Sequence, residues 1–175
     1  AYRVLTDKDG ALSGIAADVP SPFGVSAPDA EAFADRVNAF WWDIVYVAKA
    51  LCRSELNYAK YMLDGTIRYD KLQPLIEWYI GTTVGWGVST GMCGRWFHRH
   101  LSPELWQQYV QTFAGSDIGD NWRALFATIE FARTVATSVA KALSFDYPRK
   151  TDANVSTYIE KLHSRYADVP SDRST

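Results

Sequence analysis

The sequence predicts an all-α fold, an antiparallel bundle of six or seven helices, on three observations. Apolar residues recur at three- and four-residue steps from about residue 29 onward, no sustained period-two alternation follows residue 15, and the breaks between periodic stretches are short. The opening AYRVLTDKDGAL is the exception: YRVL reads as a strand running into a DKDG turn. Nothing later offers that strand a partner, so it is expected to be the remnant of a domain these residues do not include. IAADVPSPFGVSAP, residues 15–28, is rich in proline and reads as a connector. The organisation expected is therefore a poorly anchored strand remnant and connector over 1–27, and a helical domain over 28–175.

Each helix has a local reason. Ser26 or Asp29 can cap the first, in which Phe33, Val37, Phe40, Trp41, Ile44, Val45 and Ala48 share a face up to about Arg53. A second stretch, about 54–82, carries Leu56, Ala59, Met62, Leu63, Ile67, Leu72, Leu75, Ile76 and Tyr79, and is expected to pack antiparallel to the first. Pro74 inside it predicts a kink or restart. GTTVGWGVSTGMCG holds five glycines and reads as a loop leading into a helix of Arg95, Trp96, Phe97 and Leu101. Ser102-Pro103-Glu104 is an N-cap, a first-turn proline and an acid, opening a helix with Leu105, Trp106, Tyr109, Val110 and Phe113. After GSDIGD comes a long helix through Trp122, Leu125, Ile129, Val135 and Leu143. A short last helix holds Asp152, Val155, Tyr158, Ile159 and Leu162 before a polar tail.

Composition narrows the function. A formal net charge of −2 supplies no field to hold nucleic acid or an anionic membrane, and makes a cationic ligand more plausible than a polyanion. Cys52 and Cys93 belong to no CxxC or Cys/His framework, which suggests a reducing cytoplasm, and both read as small buried hydrophobes. No apolar run approaches the roughly 18 residues that span a bilayer. Seven Trp, ten Tyr and eight Phe exceed ordinary packing needs, so some rings are expected to line a ligand surface.

Charge and aromatic side chains concentrate in FWWDIVYVAKALCRSELNYAKYMLD, residues 40–64, a combination suited to a polycationic sugar or a nucleotide. Lys60 and Asp64 share a helical face at i, i+4, with Glu55 roughly one and a half turns earlier. A solvated face stitched by ion pairs explains the same pattern. Trp41 lies in the apolar period and belongs to the core; Trp42 and Trp78 are the expected surface rings.

That block, followed by LIEWYIGTTVGWGVSTG, HRHLSPELWQQY and DNWRALFATIEFARTVATSVAKAL, resembles the second half of the aminoglycoside 6-adenylyltransferases, the streptomycin adenylyltransferase family, in the same order and over almost the whole chain. VLTDKDG likewise resembles the last strand of that family's catalytic domain. The resemblance implies transfer of AMP from ATP to a streptomycin hydroxyl, with Mg²⁺ held by carboxylates in an N-terminal nucleotidyltransferase domain that would be this chain's partner. The helical domain would close the cleft over antibiotic and ATP. Substrate contacts would then fall to Glu55, Asp64, Asp70, Trp42 and Trp78, and nucleotide contacts to Lys60 and Arg95, the latter in a Gly-rich loop offering backbone donors. No catalytic or metal-binding residue is expected in this part, and the chain alone should be inactive. Gly115-Ser116-Asp117-Ile118-Gly119-Asp120 imitates a GS…DxD site, but its spacing is too short and it reads as a loop plus an N-cap.

Two rivals come from other classes. Arg95 and His100 match an R-x4-H spacing of small helical ribonucleases, where His100 would move the proton and Arg95 neutralise the phosphate. A non-catalytic binding or dimerisation module is the other. His98 and His100 diverge on a helix and make a poor metal pair.

Overall fold

The computed structural model describes residues 8–9 and 23–167. Among these the chain is all-α apart from one isolated antiparallel bridge between Gly24 and Ser89. The YRVL strand expected at the start lies outside the described residues. At the end of the connector, expected to be poorly anchored, Val25 donates to the carbonyl of Val88 at 3.0 Å and accepts from the amide of Gly87 at 2.7 Å.

Helix α1, Ala30–Cys52, starts where Asp29, in extended backbone, accepts the amide of Ala32 at 2.8 Å. Phe33, Val37, Phe40, Trp41, Ile44, Val47 and Leu51 are buried along it. A tight turn with Ser54 at φ 58° reverses the chain into α2, Leu56–Lys60. From there the helix is continuous but changes winding: Tyr61–Leu72 is a π-helix, and α3 follows over Gln73–Thr83. The sequence predicts an interruption at Pro74 but not this form of it. At the C-terminal end of that stretch Pro74 has no N–H for the carbonyl of Asp70 four residues back. The amide of Gln73 reaches instead to the carbonyl of Arg68, five residues back, and the orphaned Asp70 carbonyl is taken by the guanidinium of Arg36 in α1. Asp43 and Lys71 add an ion pair at 3.4 Å, so α1 and the returning helix form an antiparallel hairpin stitched by charge as well as by Leu63, Ile67, Leu75 and Ile80.

The glycine-rich loop is fastened to α3 by Glu77, whose carboxylate accepts from Gln73 and from the buried Thr90 hydroxyl at 2.9 and 3.2 Å. The helix expected from Arg95 starts later, as the four-residue α4, Phe97–His100. Cys93 and Gly94 sit at positive φ, 55° and 68°, in a 3₁₀ turn that no α-helix can continue through. Helix α5, Pro103–Val110, has the Ser102 hydroxyl accepting from the amide of Leu105 at 3.2 Å. Helix α6, Ile118–Leu143, is capped by Asp117 and buries Trp122, Leu125, Phe131, Val135 and Val139, each worth about 1.5–3 kcal/mol when removed from water. Helix α7, Arg149–Ala167, is longer than the short final helix expected. It runs back along α6, Arg133 meeting Asp152, and beside α1 in the same direction, Lys49 lying over Tyr158 and Cys52 donating to the carbonyl of Leu162.

The two cysteines require a correction. Cys52 is half-buried and burial pushes its thiol pKa up, as expected of a packed thiol; Cys93 is exposed, in the left-handed turn of the glycine-rich loop.

Candidate functional site

The residues singled out by charge pattern fall into three places. Glu55, at the start of α2, lines a shallow surface depression with Leu56, Asn57 and Tyr58. Its carboxylate takes two hydrogen bonds from Arg53, at 2.8 and 2.7 Å, and those bonds hold it below the ordinary carboxylate range. Both partners are about half exposed, so the pair is a weak anchor and stays open to competition by another cation.

Asp64 is the hub of a different arrangement. It pairs with Lys60 at 2.5 Å and with Arg68 at 3.0 Å. Arg68 is 5% exposed; it donates to the hydroxyl and carbonyl of Thr112 at 2.8 and 3.0 Å, and its guanidinium lies 3.8 Å from the centre of the Phe113 ring. Lys60 also donates to the carbonyl of Ala114 at 2.8 Å. Two helical residues thus hold the carbonyls of the segment that follows α5. The sequence brings Lys60 and Asp64 together as predicted, and the structure shows what they grip. Asp70, one turn on, is exposed and in no salt bridge among the described residues.

Trp42 lies elsewhere, on the side of α1 that faces α7. It is 71% exposed and borders an open cleft of about 380 Å³ lined also by Asn38, Tyr46, Lys49, Thr151 and Val155. Lys49 stands over the rings of Tyr46 and Tyr158, 5.5 and 6.0 Å from their centres. Sequence reading passed over Lys49 because the residues that complete its surroundings come from a helix a hundred positions later. Trp78, expected as a surface ring, is half-buried against Phe33, with ring centres 6.3 Å apart.

Arg95 is exposed, its stem folded across Gly91, where an added Cβ would come within 2.5 Å of the Arg95 Cγ. His100, the other half of the R-x4-H spacing, has its Nε2 3.1 Å from the carbonyl of Ser89, and His98 packs edge-on to Trp106. The GSDIGD segment is a loop and N-cap, as its spacing predicts. Asp117 accepts the amide of Asp120 at 2.7 Å, while Asp120 is held by Arg123 and the Gly115 amide. Those two bonds keep the Asp120 carboxyl below its usual range. With both carboxylates committed to their own loop, this segment does not fit a divalent cation, and no cluster of three candidate metal ligands occurs among the described residues.

A second buried polar cluster went unforeseen in the sequence. Asp152, 7% exposed, accepts from Arg133 Nε and Nη2 at 2.7 and 2.6 Å, from the Tyr147 hydroxyl at 2.8 Å and from Ser156 at 3.1 Å. Burial alone would raise its pKa; the bonds from Arg133 and Tyr147 outweigh that and hold it low. Tyr147 is displaced upward by burial and by the carboxylate it serves.

Comparison with known proteins places this arrangement in context. The family model described as streptomycin adenylyltransferase matches residues 1–162. An aminoglycoside 6-adenylyltransferase of Bacillus subtilis (strain 168) is 27% identical over 161 residues, covering 92% of this chain and 56% of the relative. One from Campylobacter jejuni is 26% identical, covering 94% and 56%. The crystal structure of an aminoglycoside 6-adenyltransferase from Bacillus subtilis superposes with a TM-score of 0.73 at 27% identity, over 86% of this chain and 57% of that one. The chain thus spans little more than half the length of the curated relatives it matches.

Proposed function

The chain belongs to the streptomycin adenylyltransferase family, and from that membership we propose that it is the helical, cleft-closing part of a cytoplasmic aminoglycoside adenylyltransferase, a resistance enzyme that transfers AMP from ATP to an antibiotic hydroxyl. The observation that carries the reading is agreement of fold with an aminoglycoside 6-adenyltransferase over 86% of the chain, while 43% of that structure has no counterpart here, since this chain covers 57% of it. Phosphoryl transfer depends on positioning and on neutralising developing charge. Within the proposal this chain supplies positioning contacts to the two substrates.

Within that reading the roles divide by what each residue already holds. Glu55 and Asp70 are the exposed acids for the cationic groups of the antibiotic, and Trp78, half-buried against Phe33, is the ring assigned to it. Asp64 supports that face from its ion pairs with Lys60 and Arg68. Arg95, exposed on the glycine-rich loop, is the cation for the nucleotide's phosphates, and Lys60, the second cation assigned to them, is already engaged with Asp64 and the Ala114 carbonyl. The ribonuclease alternative loses ground because His100 is engaged with the Ser89 carbonyl.

The test uses the part of a relative that this chain does not cover. The 175-residue chain alone, given ATP, Mg²⁺ and streptomycin, is expected to transfer no AMP. Fused behind the part of the Bacillus subtilis relative that it does not cover, it should restore transfer. A folded chimera that binds ATP but leaves streptomycin unmodified, or activity from the chain alone, would overturn the proposal.

A further inference from the structure

We propose that the cleft between α1 and α7 is a binding site for a small planar aromatic anion, a ring bearing a carboxylate or phosphate. This inference rests on the cleft alone and stands whether or not the chain serves an adenylyltransferase.

Three observations carry it. The cleft, about 380 Å³, is in the range of small-ligand sites. Its rim presents the indole of Trp42, 71% exposed, and a phenol, Tyr46, on the next turn of the same helix. A tryptophan left in water at the edge of a concave site loses the burial that would otherwise be its largest contribution, and a stacked ring restores it. The third observation is charge. Lys49 is the one ionised side chain among the lining residues, and no carboxylate lines the cleft with it. Two acids adjacent to the lining are engaged elsewhere: Asp152, beside Thr151, points into its cluster with Arg133, Tyr147 and Ser156, and Asp43, beside Trp42, turns to Lys71, while exposed Asp35, one turn before Asn38, is not among the lining residues. Arg133 is likewise neutralised by Asp152 and Glu130. Among the lining residues this leaves one positive group held over two tyrosine rings, with Asn38 and Thr151 as neutral hydrogen-bonding partners and Arg149 and Lys150 exposed just before Thr151. A polycationic aminoglycoside would be repelled there, so this cleft and the acid-bearing face of α2 and the π-helix select opposite charges.

The ring and anion can come from a nucleotide or from an aromatic acid. The experiment therefore titrates the 175-residue chain with AMP, with 2-naphthoate and with the neutral 2-naphthalenemethanol, following amide shifts by NMR and Trp42 emission. We expect saturable binding of at least one anion, with shifts centred on residues 38–49 and 151–158. Lys49→Met, which keeps the stem over the tyrosines, should weaken the anion about tenfold and leave the alcohol unchanged. Trp42→Leu should weaken both, and salt should weaken the anion in the unmodified chain, a readout that needs no variant. AMP alone binding assigns a nucleotide, naphthoate alone an aromatic acid. Absence of saturable shifts in this cleft for either anion at about 10 mM, or equal anion affinity in the Lys49→Met chain, would overturn the proposal.

Discussion

Replacing Asp152 by Asn removes one charge from a cluster in which every donor was placed for a carboxylate. Asp152 is 10% exposed in its side chain and Arg133 29%, and four hydrogen bonds converge on the two carboxylate oxygens. Breaking a buried pair by removing one partner costs roughly 3–5 kcal/mol, because the other charge is left desolvated. Arg133 keeps Glu130 and the Ser156 hydroxyl, which places Asp152→Asn near the lower end, about 3 kcal/mol. For a chain of this size that is about 6–12 °C in Tm. The pH dependence carries a sign. The folded Asp152 pKa lies below its unfolded value of about 4, so its contribution is complete above that pH and disappears as pH falls through the folded value. Tyr147 is displaced upward, so its contribution is complete below about pH 10 and fades as pH rises beyond it. Urea denaturation of both chains at pH 7 and at pH 3 would measure this. A loss under about 0.5 kcal/mol at neutral pH, or a difference that grows rather than shrinks in acid, would refute the assignment of the cluster as the clamp between α6 and α7.

Further outcomes follow from the same geometry. Arg68→Ala should cost about 2–3 kcal/mol by emptying the space against Phe113 and Tyr109, whereas Arg68→Met should stay within about 1 kcal/mol of the parent, since a hydrophobic replacement of a buried ion often breaks even; equal losses in denaturation would mean that charge, not packing, dominates there. Gly81→Ala would put a Cβ 2.1 Å from the Trp86 ring and force the indole outward, at about 1–2 kcal/mol and with red-shifted emission; unchanged fluorescence would show that the ring is not seated on that glycine. Cys93 should react with a thiol reagent well before Cys52, which is half-buried and raised in pKa, and simultaneous labelling would contradict that difference in exposure. Streptomycin should bind the chain only weakly, near the millimolar level, and more weakly after Asp70→Asn and in salt; an affinity indifferent to both would move the antibiotic off this face.

What could be read from the sequence was local. Asp29, Ser102 and Asp117 cap their helices through bonds to amides three residues ahead, a geometry set by the chain itself. Pro74 likewise announced an interruption. That it would take the form of a π-helix was not legible, nor that Arg36 would arrive from another helix to take the carbonyl the proline abandons. Asp152 sits on a helix whose periodicity is ordinary, and the partner that accompanies its burial, Arg133, comes from α6, so the cluster could not be read from the last helix alone.

The same distinction governs the candidate site. The resemblance left Glu55, Asp64 and Asp70 unranked, since a sequence cannot show which cations its carboxylates already hold. Asp64 is committed to Lys60 and Arg68, and a ligand cation would have to displace a buried guanidinium that also supports Thr112. Glu55 would give up only an exposed pair with Arg53, and Asp70 no salt bridge among the described residues. Desolvating a free acid costs less net energy than breaking an existing buried pair, so if the antibiotic uses this face its strongest contact should be Asp70, then Glu55, with Asp64 acting through the shape of the helix rather than by touch.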